Sequence, residues 1–253
     1  ADFHAEAKLT NYAGTEFDIR IDRTIRLLNH QEAAAALGVT FPETLRMAAF
    51  ETDNRVTNNA AHPWDKETGL LSIWILGMFT RTDQSTVVIP FKPGPVEELG
   101  PIVNDEYFGK VPAERLIVKD DVLFFKVSDP YRSKIGMPPK RAKPILGSYD
   151  GAGRGLTLVQ YSKPEKATDY VNSIWAMQDK PYGGDVVNAY NDGPPEPGAE
   201  AFGPYYELES SSPAHELTSG ESLRHVHRTF HIQGSEEELD AIAQATLGVS
   251  LAE

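Results

Sequence analysis

The sequence predicts an all-β, mainly antiparallel protein, a large β-sandwich carrying a short C-terminal helix. Three observations predict it. Segments of alternating or continuous apolar residues recur at spacings of roughly 8 to 12 residues. Gly, Pro, Asn and Asp gather between those segments, where turns need them. Only two segments carry a helical pattern with start and stop signals. The 253 residues fit one domain, 1–253, long enough to bury a sizeable core.

Taken in order, "FHAEAKLTNY" alternates and runs into the turn "YAGTEF". "FDIRIDRTIRLL" then sets Phe17, Ile19 and Ile21 against Asp18, Arg20 and Asp22, the period of a half-buried strand. His30 to Gly38, "HQEAAAALG", is alanine-rich with Gly38 as its stop, and predicts the first helix. Strands are expected at "LRMAAFET", "GLLSIWILGMF", "STVVIPF", "DEYFGKV", "RLIVKD" and "DVLFFKVSD", with a turn at Asp120-Asp121. A Pro/Lys/Arg loop from Arg132 to Lys143 precedes "GLTLVQYSK" and "DYVNSIWAMQ". A long loop, Pro181 to Pro204, leads to "YYELESSSP" and "SLRHVHRTFHIQG". "SEEELDAIAQATLG" closes the chain as a helix, with Ser235 as N-cap and Glu238 at the capping-box position.

Composition excludes several functions. A net charge of −13 without any cluster of Lys or Arg argues against nucleic acid and anionic membranes as partners. The absence of cysteine excludes disulfides, thiolate metal sites and a Cys nucleophile. No apolar run reaches the roughly 18 residues of a membrane span. The polar, alternating start "ADFHAEAKLT" and the lack of cysteine lead to the expectation of a periplasmic or secreted protein, either processed or a piece of something longer. A glycine-rich "GSYDGAGRG" lacks the Lys of a phosphate loop, and no GxSxG motif is present.

Four stretches could carry chemistry. On a strand, Glu207 and Glu209 of "YYELESSSP" point to the same face, where one carboxylate can raise the pKa of the other. On "HVHRTFH", His225, His227 and His231 share a face, a geometric route to a metal, though an internally hydrogen-bonded polar face is the simpler reading. Asp185, Asn188, Asn191, Asp192 and Glu196 are hard oxygen ligands of the kind calcium takes, and equally ordinary turn residues. Asp129, Arg132 and Lys134 could meet an acidic group on a ligand or stand solvated on a loop. Aromatic residues nearby (Trp175, Tyr182, Tyr190, Tyr205, Tyr206) suit the apolar face of a pyranose, or a core.

The patch "NRVTNNAAHPW" (54–64) and the segment "LESS" (208–211) together resemble the galactose mutarotase (aldose 1-epimerase) superfamily. The resemblance implies a β-supersandwich with a sugar cleft. In that superfamily an "NLTNH" segment carries the acid His and an "LETQ"-like segment the base Glu; "TSGESLRHVHR" matches the turn into the last strand. The string from "GSYDGAGRG" through "YYELESSSPA" is further similar to an uncharacterised bacterial family near the mutarotases. By this resemblance Glu209 is the base, and Asn59 stands where the acid His is expected. His62, three residues on, is the histidine placed to substitute. The superfamily's "LHGG"-like portion, with its Arg and second His, is not visible, so the N-terminal strands are expected to be truncated or lacking.

Three readings follow. The first is a carbohydrate-active protein with Glu209, Glu207 and His62 as its catalytic candidates. Asn58, Asn59, Asp129, Lys134, Trp175, Tyr190, Asn191 and Asp192 are its candidate sugar contacts. The second is a glycan-binding module with the same cleft and no proton transfer. The third is a metal-dependent protein using His225, His227 and His231. The first two imply a carbohydrate ligand and no cofactor.

Overall fold

The computed structural model describes residues 1–174 and 176–251. The chain begins with strands β1 (Asp2–Thr10) and β2 (Glu16–Leu28), helix α1 (His30–Leu37) and strand β3 (Arg46–Asn58). Then come β4 (Trp74–Thr80), β5 (Ser85–Pro90), the one-turn α2 (Val96–Leu99), β6 (Leu116–Lys119) and β7 (Val122–Lys126). Strands β8 (Ser133–Met137), β9 (Ile145–Asp150), β10 (Gly155–Tyr161), β11 (Val187–Asn191), β12 (Tyr205–Ser211) and β13 (Ser222–Gln233) precede helix α3 (Glu236–Leu247). No helix among the described residues is long and apolar enough to cross a membrane.

The strands form two antiparallel sheets. One has nine strands in the order β1-β2-β3-β13-β10-β9-β5-β7-β6, and the other has four, β4-β12-β11-β8. The sheets pack face to face: Val87, Phe125 and Val159 of the large sheet meet Ile135, Ala189 and Leu208 of the small one. The far face of the large sheet is covered as well, with Leu156, Phe230 and Ile232 under Leu239, Ile242 and Leu247 of α3. Each such buried side chain contributes about 1.5–3 kcal/mol, so packing rather than helix propensity holds α3 in place. The small sheet has only one face in the core. Its other face is left for a site.

Local signals explain the helix ends. In α1 the Asn29 side chain accepts from Glu32 N while Glu32 reaches back to Asn29 N, a complete capping box. Ser235 and Glu238 do the same for α3. Both helices end on a left-handed glycine, Gly38 at φ 70° and Gly248 at φ 75°.

Several expectations about strands need correcting. "DEYFGKV" is not a strand, and neither are the described residues of "DYVNSIWAMQ"; isolated bridges join Tyr107 to Gly109 and Tyr170 to Gly183. Only Trp74–Phe79 of "GLLSIWILGMF" enters a strand. Conversely, the Pro/Lys/Arg loop contains β8, and the long 181–204 loop contains β11, a central strand of the small sheet. All five β11 residues are buried, so no alternation marked them in the sequence. The patch 54–58 is the end of β3, running antiparallel to β13.

Candidate functional site

Strand β12 sets the geometry. Tyr206 and Leu208 pack into the core between the sheets, so Tyr205, Glu207 and Glu209 point outward. The register across the sheet places Met78, Glu207, Tyr190 and Lys134 in one row, and Leu76, Glu209, Asn188 and Gly136 in the next. Two carboxylates on β12 thus face a lysine on β8, with Tyr190 between them.

Glu209 is 0% exposed. Its Oε2 accepts from Trp74 Nε1 at 2.8 Å and from Lys134 Nζ at 2.9 Å. Lys134 is itself only 11% exposed, and its ammonium sits 5.7 Å from the Trp74 ring centre and 5.4 Å from that of Tyr107. The other oxygen of Glu209, Oε1, is buried and receives no donor. Glu207 lies beside it. Burial first, then the Glu209 charge and the nearby Asp192, push the Glu207 carboxyl up to about 7, with Lys134 opposing. Protonated, Glu207 can donate to its neighbour and fill the open acceptor; ionised, it is a base poised near neutrality.

Above this pair is a cleft of about 460 Å³ whose walls are mainly apolar and aromatic: Trp74, Phe108, Ile174, Tyr190, Phe202 and Tyr205. Glu207, Lys134, Arg132, Tyr107 and Ser173 supply its polar groups. Arg132 lies over the Phe108 ring at 4.1 Å. Glu207 lines the cleft directly, whereas Glu209 lies beneath it, reached through Glu207, Lys134 and Trp74.

The 104–108 loop is tied down by Asp185. The Tyr107 hydroxyl donates to Asp185 Oδ2 at 2.6 Å, and Asn104 Nδ2 at 3.3 Å. Burial pushes the Asp185 carboxyl up to about 6 against these hydrogen bonds and the Lys134 charge. Asp185 occupies the space over Gly136, where a Cβ would come 2.0 Å from Oδ2 and 2.7 Å from the Asn188 amide nitrogen. Gly136→Ala is therefore expected to expel Asp185, destabilise the fold by ~1–3 kcal/mol and free the 104–108 loop. Denaturant unfolding with limited proteolysis of that loop checks it; an unchanged midpoint and cleavage pattern would contradict the packing described.

The structure brings together Glu207, Glu209, Lys134 and Tyr190 from the sequence-predicted set. The others lie elsewhere or act behind the cleft. Asp192 is fully buried, accepting from the Tyr190 hydroxyl at 2.9 Å and from Gly203 N at 2.9 Å, so it orients Tyr190 and anchors the loop that carries Phe202. Asn191 is also fully buried and donates to the carbonyls of Asp129 and Tyr131. Asp129 pairs with the Arg115 guanidinium, which holds its carboxyl below the usual range, and is not among the cleft-lining residues. Asn58 is buried at the end of β3, donating to the carbonyls of His62 and Leu217. Asn59 and His62 are exposed, and neither lines the cleft. Trp175 lies outside the described residues.

The three histidines of β13 face the space between the sheets. Ser210 Oγ hydrogen-bonds His225 Nε2 and His227 Nδ1, each at 2.8 Å, and Ser162 Oγ meets His225 Nδ1 at 3.1 Å. His231 contacts Thr157 and the edge of Phe79. Among the described residues no three His, Cys, Asp or Glu groups converge as a metal site requires. The calcium-type residues do not converge either: Asp185 and Asn188 support the cleft floor, whereas Glu196 is exposed. Burial lowers His225 to about 4 and His227 to about 3, the latter also through the charges of His225 and Arg23.

Because both histidines stay neutral when folded and protonate near 6.5 when unfolded, their contribution is complete above pH 6.5. It is lost as pH falls toward their folded values, by about 3 kcal/mol or more each. Glu207 and Asp185, both raised, act in the opposite direction and regain stability over part of that range. Unfolding free energy measured from pH 8 to 4 is expected to fall more steeply below 6.5 in Glu207→Gln than in the native chain. Equal slopes would mean that Glu207 is not raised.

Sequence reasoning missed Trp74, Tyr107, Phe108 and the supporting role of Asp185. Trp74 was hidden in an apolar run read as buried. Tyr107-Phe108 followed by Gly109, between Pro101 and Pro112, carried the signal of an aromatic loop tip.

No curated protein matches the chain in sequence. Among solved structures it is similar to a candidate aldose 1-epimerase of Escherichia coli K12, with a TM-score of 0.51 at 10% identity, covering 92% of this chain and 66% of that one. It is also similar to a candidate aldose 1-epimerase of Klebsiella pneumoniae, with a TM-score of 0.49 at 10% identity, covering 92% of this chain and 55% of that one. The chain spans less than two thirds of the length of these structures. At such identity the first likeness shows the fold alone, a mutarotase-like β-sandwich. The pattern of a family of unknown function, DUF6786, matches residues 1–253, and the chain belongs to that family.

Proposed function

We propose that this is a carbohydrate-active protein whose cleft holds a sugar ring against Trp74, Tyr190 and Phe108, with the Glu207–Glu209 pair moving a proton at a sugar hydroxyl. The observation that carries it is the pairing of two carboxylates with unequal surroundings under an aromatic cleft. Flat amphipathic rings suit the apolar face of a pyranose, and Glu207 can meet its hydroxyls. The likeness to the candidate aldose 1-epimerase of Escherichia coli adds a sugar-related fold.

The role that resemblance gives to Glu209 is divided between the two residues. Glu207 touches the ligand. Glu209, fixed by Lys134 and Trp74, supplies the adjacent negative charge that, after burial, makes Glu207 a base near neutrality. In an interconversion of anomers, Glu207 takes the proton of the anomeric hydroxyl as the bond between the anomeric carbon and the ring oxygen breaks. The electron pair goes to the ring oxygen, where the Lys134 ammonium offsets the developing charge. Closure on the other face returns the proton.

The test is the pH profile of turnover. Turnover is expected to rise with pH through about 7, falling about tenfold per unit below it, because only ionised Glu207 is a base. Glu209→Gln removes the neighbouring charge and is expected to move the midpoint acidward and lower the plateau. A profile flat from pH 5.5 to 8.5 with ample turnover would rule out this role for Glu207.

A glycan-binding module remains the second reading, and one observation favours it: Glu209, the base by resemblance, is buried in an ion pair with Lys134 and does not itself line the cleft. Binding by saturation transfer with no chemical change in any sugar would select it.

A further inference from the structure

Arg132 has no role in the proton transfer described. It directly precedes β8, two residues from Lys134, and both side chains enter the same cleft. Lys134 is neutralised by Glu209. Arg132 is not: among the described residues it has no ion-pair partner, and its Nε is buried without a hydrogen bond. Asp192, which directly follows β11, is fully buried and accepts from the Tyr190 hydroxyl and Gly203 N. Stacking on Phe108 fixes the guanidinium plane; part of its edge faces the Tyr190 hydroxyl, and the rest is donor surface toward the cleft. A pre-oriented guanidinium without a direct ion pair, in the cleft of a chain of net charge −13, is a specific feature, because the protein as a whole repels anions.

Position defines what it can receive. Arg132 stands on the β8 side of the cleft and Glu207 on β12, with β11 between. Two strand spacings across and two residues along, since Lys134 holds the row of Glu207, make the backbone separation roughly 12 Å, which the inward-reaching side chains shorten toward the span of one sugar. A ligand touching both ends carries a hydroxyl at the Glu207 end and an anion at the Arg132 end. The guanidinium edge matches a planar carboxylate with two parallel N–H donors.

We propose that the ligand of this cleft is an acidic sugar, a hexuronate free or at the end of a glycan, whose carboxylate is received by Arg132. The inference rests on the sugar-cleft reading above and narrows it to one substrate class.

The experiment is titration of the native chain, by ligand-observed saturation transfer and calorimetry, with glucuronate, galacturonate and mannuronate. Their neutral counterparts glucose, galactose and mannose, and the matching hexose 6-phosphates, are run alongside. At least one uronate is expected to bind tenfold or more tightly than its neutral counterpart, with a preference that weakens as salt is raised. Arg132→Gln, its folding checked by thermal melting, is expected to reduce that ratio to within about twofold, and Arg132→Lys to keep part of it. Equal binding of acidic and neutral sugars overturns the inference while leaving the cleft a sugar site. So does a uronate preference that survives in Arg132→Gln, or tighter binding of the 6-phosphates than of the uronates. Failure of every sugar to bind overturns the cleft reading itself, and the native-chain titration shows this without any variant.

Discussion

Lys134→Met is expected to destabilise the protein by about 3–5 kcal/mol, the effect of leaving a buried carboxylate without its cation. Glu209 is fully buried and Lys134 nearly so, and the ammonium donates directly to Glu209 Oε2. After the substitution Oε2 retains only the Trp74 indole, and Oε1 already has no donor. The double variant Lys134→Met/Glu209→Gln removes both charges and is expected to recover a large part of the loss, since a buried ion pair replaced as a whole is often close to neutral. Chemical denaturation of the four proteins of this cycle gives the coupling directly. A loss below about 1 kcal/mol in Lys134→Met would mean a solvent-screened pair, and the cleft floor would not be the dry, charged layer described.

Glu207→Gln is expected to lower turnover by roughly 10²–10⁴-fold, the range for removal of a general base, with ligand affinity changed little. Glutamine keeps the shape and hydrogen bonding of the side chain but takes no proton. It also removes a carboxyl held up near 7 by burial and by Glu209, so the variant is expected to be at least as stable as the native chain at neutral pH. The sign follows from the raised value: a raised carboxyl adds stability only while protonated, and that contribution fades as pH rises through about 7. A stable variant that turns over normally would remove Glu207 from the chemistry.

Much of the local structure could be read from the chain. The alternation in "YYELESSSP" places Glu207 and Glu209 together on one face, and in "HVHRTFH" it places the histidines together, because a strand has a strict period of two. Both capping boxes and their glycine stops are written in single residues. What lies across the sheet was not legible. Lys134 and Trp74 reach Glu209 from 75 and 135 residues away, and nothing local in "SKIGM" or "SIWIL" announces that meeting. β8 is framed by prolines and β11 by glycines and prolines, so breaker residues concealed two strands of the very sheet that bears the cleft. The roles of Asn191 and Asp192 differ from expectation for a related reason. Their polarity suggested a ligand, but it satisfies the backbone of two neighbouring loops.

The central claim is that the outer face of the small sheet is a sugar site in which Glu207 moves a proton. It is tested most directly by exchange NMR on the anomeric signals of hexoses and hexuronates with the native chain at pH 7.5. The account predicts interconversion of the anomers of at least one sugar well above the spontaneous rate, absent with Glu207→Gln. Saturation transfer to sugars without any exchange or new product, in the native chain and the variant alike, would contradict it.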